Sequence, residues 1–325
     1  MRLVMSCAPI LKMSYQPIYE GHMVAKIVLF LLRGLSWLPL IVARSLSRLL
    51  AHLMVAFNAT PLSVSQVNLR LCYPTMPEKE IQALSRAHME HFANILCETP
   101  QIWRKGYPWL IKNIVGFQGM EHLQATSDDP AGTIFLIPHH GSWEAIGIWL
   151  AQLAPLTSLY APAKNPALDH WVKSSRLRSG MCLAPTNVRG VARLLKALKR
   201  GDNVAILPDQ SPKLSGGAFS TLFGVPALTM TLTHNLIQRT QCRVIFVAAI
   251  RVKGGFEIVL QPAPEQIYSA DQQASLLALN GGVESIVALA PSQYQWTYKR
   301  FRIQPDQAGQ PDESINLYPK GPQKL

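Results

Sequence analysis

Charge is scarce in this chain, and acidic charge is scarcest. Asp, Glu, Lys and Arg together make up only 15% of the residues, and 19 acidic residues face 31 basic ones, a net charge of +12. Cysteine is also rare: there are five, at Cys7, Cys72, Cys97, Cys182 and Cys242, and no two form a Cys-x-x-Cys. An odd number at irregular spacing argues against a disulfide framework and a cysteine zinc site, and fits a reducing compartment. The chain has no His-Glu-x-x-His, and the adjacent His139 and His140 point in different directions, so no metal site is expected. Zinc-knuckle spacing, an RNA-binding signature and a basic helix with interleaved aromatics are all missing, so the basic balance does not read as nucleic-acid binding. No small-x-small site ends the N-terminal apolar run, which argues against a cleaved signal peptide. Neither internal repeats nor long low-complexity tracts occur.

What is present is apolar surface. Hydrophobic residues make up 48% of the chain. Apolar and basic together suggest an anionic membrane surface or an anionic lipid. The segment 24–57 carries most of this signal. From Ile27 to Ala43 only Arg33 is charged, and Arg44 and Arg48 follow. That length borders on what spans a bilayer. Arg33 would be costly in lipid unless it faces protein or snorkels. The basic residues that follow place the rest of the chain on the cytoplasmic side. We expect a membrane-associated helical segment over 1–57, spanning once or lying in the interface. A buried core helix pair is the other reading. Residues 62–104 read as helical, broken near Pro74 and Pro77, and Leu84, Ala87, Phe92, Ile95 and Leu96 at helical spacing read as core.

From residue 115 strands and helices alternate. Strands are expected at 133–138, 157–161, 203–207, 243–250 and 256–260. Helices are expected at 142–153, 167–178, 188–200, 228–239 and 273–289. This alternation predicts an α/β domain over 58–305, a mixed, largely parallel sheet flanked by helices. The polar, Pro- and Gly-containing stretch 306–325 reads as a flexible tail.

The most informative pair is His139 and Glu144, in Pro138-His-His-Gly-Ser-Trp-Glu144. The His lies where an apolar strand ends and the Glu in the first helical turn, where the helix N-terminus favours its ionised form. A His positioned by a carboxylate can take a proton from an alcohol that attacks a carbonyl. A loop histidine beside a favourable first-turn charge is the plainer reading of the same residues. Asp209 and Gln210 lie at another strand end, so they could share a cleft with His139; Pro-Asp is also common in turns. Arg176 and Arg178 precede Gly180, and Arg189 opens the next helix. Their planar forks suit phosphate or carboxylate, although a single Arg is more often a solvated charge. The stretch 216–227 could shape an acyl or headgroup slot or be an ordinary loop ahead of a helix. The stretch 291–301 mixes Tyr294, Trp296 and Tyr298 with Lys299 and Arg300, a composition suited to a membrane interface or a packed Trp beside solvated charges.

In this order the blocks resemble the lipid A biosynthesis acyltransferases, the late lauroyl/myristoyl transferases. The family's His-x-Gly-Asn-Trp-Glu-like block is matched by His139 to Glu144, with Ser142 for Asn. Its Arg-x3-Gly is matched by Arg176 to Gly180, its Leu-Pro-Asp-Gln by Leu207 to Gln210, and its Phe-Phe-Gly-x-Pro-Ala by Leu222 to Ala227, with Leu222 for Phe. Its Gln-Tyr-x-Trp block is matched by Gln293 to Phe301. The match covers roughly residues 24–305. Glu144, Asp209-Gln210 and the Trp296 block separate it from the related glycerol-phosphate acyltransferases, whose fold the resemblance implies. It further implies a fatty acyl chain moved from acyl carrier protein to a hydroxyl of a Kdo2-lipid IVA type lipid A precursor. No cofactor is implied, and the location is the inner membrane with the catalytic domain cytoplasmic. The chemistry it implies has His139 as base and Glu144 holding the imidazole, with Arg176, and Arg189 as a second candidate, on a phosphate of the acceptor or donor, and Asp209 and Gln210 in the site by block match alone. Another lipid acceptor, such as a lysophospholipid or a glycolipid, and a catalytically silent membrane accessory protein are the alternatives.

Overall fold

The computed structural model describes residues 23–123, 131–307, 309–312, 314 and 317–318. Residues 1–22 of the expected membrane segment, and 308, 313, 315–316 and 319–325 of the expected tail, lie outside these. The chain opens with helices α1 (Met23–Leu35), α2 (Leu40–Ala56), α3 (Thr60–Cys72), α4 (Glu78–Lys105) and α5 (Tyr107–Asn113). The apolar run 27–43 is therefore two helices, not one. It breaks at Pro39, whose extended backbone precedes α2 and whose missing N–H cannot continue a helix. No single helix among the described residues is long and apolar enough to cross a membrane; α2 and α3 reach the length together but are bent by 79°.

The small residues Ala43, Ser47 and Ala51 form one buried stripe of α2. Other faces of α1 and α2 leave large apolar side chains in the open, with Phe30 75%, Ile41 75% and Leu49 57% exposed. Buried Glu98 of α4 ties this helical layer to the rest. It accepts from Arg44 Nε at 2.8 Å and Arg251 Nε at 2.6 Å.

The sheet holds β1 (Ile114–Gln118), β2 (Thr133–Leu136), β3 (Leu156–Tyr160), β4 (Cys182–Pro185), β5 (Asn203–Ile206), β8 (Arg243–Val252) and β9 (Gly255–Pro262), in the order β1-β9-β8-β2-β5-β3-β4. The stretch from β8 to β4 is parallel, whereas β9 runs against β8 and β1 runs with β9. The mixed, largely parallel sheet expected from the alternation is present. Its central strands are apolar on both faces. Ile134, Leu136, Val204 and Ile206 face one core and Phe135, Ile137 and Ala205 the other, as period-two alternation requires. Helices α6 (Trp143–Leu153), α7 (Pro166–Arg178), α8 (Val188–Lys199), α9 (Leu232–Thr240) and α10 (Gln272–Leu289) connect and cover it.

Two expectations change. The helix expected at 228–239 begins only at Leu232, because Val225–Met230 is a strand, β7, paired with β6 (Gly217–Leu222). The Phe223-Gly224 turn between them has φ of 51° and 74°, the left-handed pair that a two-residue hairpin loop demands. The stretch 216–227 is thus most of a hairpin. The chain past Pro305 is also not loose throughout. Strands β10 (Gln304–Pro305) and β11 (Pro311–Asp312) pair, and Tyr318 is buried, its hydroxyl donating to Asn68 Oδ1 at 2.5 Å and accepting from Phe301 N at 3.0 Å.

Candidate active site

His139 stands three residues past the end of β2, and Asp209 three past the end of β5. These strands are parallel neighbours with Leu136 opposite Ile206, so equal extensions bring the two residues face to face. Asp209 brackets the histidine. Its Oδ2 accepts the backbone N–H of His139 at 2.8 Å, and its Oδ1 lies 2.8 Å from Nδ1. Nδ1 facing an ionised carboxylate carries the proton, which leaves the lone pair on Nε2; this tautomer follows from the hydrogen-bond pattern. Nε2 lies 3.2 Å from the amide nitrogen of Gln210, which also donates to Gln295 Oε1 at 3.1 Å. Asp209 is buried. Burial pushes its carboxyl up, but the electrostatic attraction of His139 and the hydrogen bonds from its side chain and backbone outweigh that and hold it below the usual carboxylate value.

The turn that carries His139 is pinned on both sides. Its carbonyl accepts from Gln295 N at 3.0 Å, Gly141 N donates to Gln293 O at 3.1 Å, and Ser142 N donates to Ala249 O at 2.8 Å. Gly141 has φ of 58°, and a Cβ there would lie 2.0 Å from Ala249 O. Only glycine lets the turn approach β8 so closely. The Trp143 ring meets the imidazole edge-on at 5.1 Å between centroids.

Glu144 does not hold the imidazole. Its carboxylate accepts from both ends of the Arg176 fork, Nη2 and Nε, the latter at 3.4 Å, and from Trp103 Nε1 at 2.9 Å. Burial alone would raise Glu144, but the Arg176 charge and these hydrogen bonds hold it below its ordinary value. The physical reason for the swap is placement. Glu144 sits in the first turn of α6 and faces α7 and the end of α4, whereas the extension of β5 already occupies the Nδ1 side of His139. The phosphate role expected of Arg176 meets a guanidinium already paired with a carboxylate. Arg189 lies past the edge strand β4 and is exposed. Three strand spacings, about 14 Å, separate the β4 and β2 ends. The structure thus brings together His139, Asp209 and Gln210, sets Glu144 and Arg176 beside them as a second pair, and leaves Arg189 outside.

Trp103, Gln295 and Tyr160, whose ring lies 5.5 Å from the Arg176 guanidinium carbon, were missed as site residues. Gln295 lies inside the 293–301 block, which signalled it; Trp103 sits in a core-like helical pattern that gave no signal. Asp209, Gln210, Phe223, Tyr294, Trp296 and Arg300 line a narrow cleft of about 10 Å³. That is room for about one water, and it lies behind Asp209 and Gln210, with His139 outside its lining.

The family model of bacterial lipid A biosynthesis acyltransferases matches residues 15–303. The chain is 28% identical to the lipid A biosynthesis lauroyltransferase of Escherichia coli (strain K12), over 84% of this chain and 90% of that one. It is 26% identical to a lipid A biosynthesis acyltransferase of Haemophilus influenzae, over 90% and 96% of the two chains. It is 25% identical to the Escherichia coli lipid A biosynthesis palmitoleoyltransferase, over 75% and 79%.

Proposed function

The chain belongs to the bacterial lipid A biosynthesis acyltransferases and is an acyltransferase enzyme, and on that premise we propose that it moves a fatty acyl chain from acyl carrier protein to a hydroxyl of a Kdo2-lipid IVA type precursor. The observation that carries the chemistry is the Asp209–His139 bracket, with Nδ1–H held by a buried carboxylate and Nε2 facing the Gln210 amide. Nε2 takes the proton of the acceptor hydroxyl as its oxygen attacks the thioester carbonyl. Asp209 keeps the imidazole in this tautomer and stabilises the imidazolium. The C–S bond then breaks, and the leaving sulfur takes the proton back from Nε2. The amide of Gln210 occupies the position the hydroxyl must reach, so it moves aside on binding. The donor is an activated thioester, so no acyl-enzyme is needed.

The exposed apolar faces of α1 and α2 support a chain that lies in the inner-membrane interface with its catalytic domain on the cytoplasmic side. The test uses purified full-length protein with acyl carrier protein thioester or acyl-coenzyme A, and either Kdo2-lipid IVA or a lysophospholipid. Mass spectrometry is expected to find one added acyl chain on the lipid A precursor, from the carrier-protein thioester. Acylation of the lysophospholipid alone would overturn the acceptor, and equal turnover from coenzyme A would overturn the donor.

A further inference from the structure

A second cleft, of about 370 Å³, is lined by Arg33, Trp37, Arg104, His170, Trp171 and Arg178, among others. We propose that it is a phosphomonoester site, and that its ligand is the phosphate of a membrane-embedded lipid acceptor. The proposal rests on the acceptor being a phosphorylated lipid A precursor, and it names where that phosphate is held.

The cleft gathers three guanidiniums from three helices: Arg33 from α1, Arg104 from the end of α4 and Arg178 from the end of α7. None of the three has a carboxylate partner among the described residues, although Arg176, on the same helix as Arg178, does. Each lies in the last turn of its helix, where a cation suits the dipole. That explains one arginine per helix but not their convergence on one cleft, which places like charges together at a cost. A phosphate dianion removes the cost. Arg104 and Arg178 are already steered. Arg104 Nε donates to Ser36 O at 3.0 Å and its guanidinium carbon lies 3.6 Å from the Trp37 ring centroid; Arg178 Nη2 donates to Trp103 O at 2.8 Å. Each uses one of five N–H groups in these contacts, which leaves donors for phosphate oxygens.

Two further observations favour a lipid over a soluble phosphate. Trp37 on the rim is 71% exposed and Phe30, one turn before Arg33, is 75% exposed, so the cleft opens beside exposed apolar side chains. An aromatic-rimmed cationic cleft suits the headgroup level of a bilayer. The cleft connects to the candidate active site through Trp171, which packs on Trp103 at 5.5 Å, and through Trp103, which donates to Glu144. A phosphate among the three arginines would therefore lie one aromatic pair away from Glu144, in the first turn of α6.

The first experiment is flotation of the full-length protein with phosphatidylcholine vesicles doped with phosphatidic acid, a phosphomonoester, or with phosphatidylglycerol, a diester. Wild type is expected to prefer phosphatidic acid, and Arg33→Gln to lose roughly tenfold of that preference, the scale of one charge-assisted hydrogen bond. Arg33 is exposed and makes no ion pair among the described residues, so Arg33→Gln keeps the wild-type melting temperature. Arg33→Gln/Arg178→Gln is expected to abolish the preference. Equal wild-type binding to both vesicles, or an undiminished preference in both variants, overturns the site. Inorganic phosphate that displaces the protein from the vesicles at equimolar concentration overturns the lipid source. The second experiment compares kcat/KM on phosphorylated and dephosphorylated acceptor, whose ratio is expected to fall roughly tenfold in Arg33→Gln; an unchanged ratio overturns the acceptor assignment. Flotation needs no acyl transfer. If wild type acylates no acceptor at all, the proposed function fails, and flotation still decides the phosphate site.

Discussion

Two ion pairs flank the turn 138–144, and they differ in what they hold. Asp209 accepts from the imidazole and from the backbone of the same residue, so it fixes a side chain and its turn as one unit. Glu144 accepts from a guanidinium of α7 and an indole of α4, so it fixes two helices. Glu144 is five residues from His139 and Asp209 is seventy, yet the distant carboxylate is the histidine's partner. In a parallel sheet the ends of neighbouring strands meet, and that adjacency outranks closeness along the chain.

The largest expected effect breaks this contrast directly. His139→Ala is expected to lower kcat by about 10²–10⁴-fold, the usual contribution of a positioned base. Asp209→Asn is expected to fall in the same range, because an amide neither fixes the Nδ1–H tautomer nor stabilises imidazolium. Glu144→Gln, which keeps hydrogen-bonding capacity toward Arg176 and Trp103, is expected to lose only about tenfold, a loss of packing order and not of the base. The check is single-turnover acyl transfer by the purified variants. A severe Glu144→Gln beside a mild Asp209→Asn would restore Glu144 as the histidine's partner.

Behind the turn the contrast has a third member. His140 points away from the cleft and is fully buried; burial and the Arg251 charge push it down to about 3. Burial likewise lowers His88 to about 4 and His91 to about 3. These three are neutral when folded and titrate near 6.5 when unfolded. Between those values the unfolded chain binds more protons, so stability falls as pH drops below about 6.5, by up to about 1.4 kcal/mol per pH unit for each histidine. Asp209 and Glu144, held low, add a further loss at the acid end of that range. Denaturant midpoints at neutral pH and near pH 5 are expected to separate clearly, and His88→Gln to reduce the slope by about one proton. A flat profile would mean these histidines are hydrated, not buried.

Much of the sheet was legible because its central strands are apolar runs that begin and end within a residue or two of their expected positions. β5 starts at Asn203 and β2 at Thr133, as expected. Edge strands β1 and β4 were not legible, being short and half-exposed. Strand β7 was hidden by Pro226 and by apolar residues that suit a helix equally well. For the site, each of His139, Asp209 and Gln210 could be read as a strand-end residue. Their pairing could not, because it depends on β2 lying next to β5, an order that comes from tertiary packing. The cationic cleft was least legible of all, since Arg33, Arg104 and Arg178 belong to three separate helices.

The smallest expected effect tests the helix-holding pair on its own terms. Glu144→Ala leaves the Arg176 guanidinium partly buried without its carboxylate, and Arg176→Met leaves Glu144 in the mirror position. The Arg176 side chain keeps 23% exposure and that of Glu144 10%, so each single change is expected to cost about 1–3 kcal/mol, below the cost for a fully buried pair. The double variant removes both charges and leaves neither stranded, so it is expected to cost less than the two singles added, with a coupling of about 1–2 kcal/mol. Urea midpoints of the four proteins measure it. Additivity to within about 0.5 kcal/mol would mean the two side chains do not meet in solution. Activity provides the contrast with Arg33. Because its fork is spent on Glu144, Arg176→Lys is expected to lower turnover on phosphorylated and dephosphorylated acceptor by the same factor, whereas Arg33→Gln changes their ratio. An Arg176→Lys defect confined to the phosphorylated acceptor would mean that Arg176 leaves Glu144 when the lipid binds, and the two pairs would no longer be separate in role.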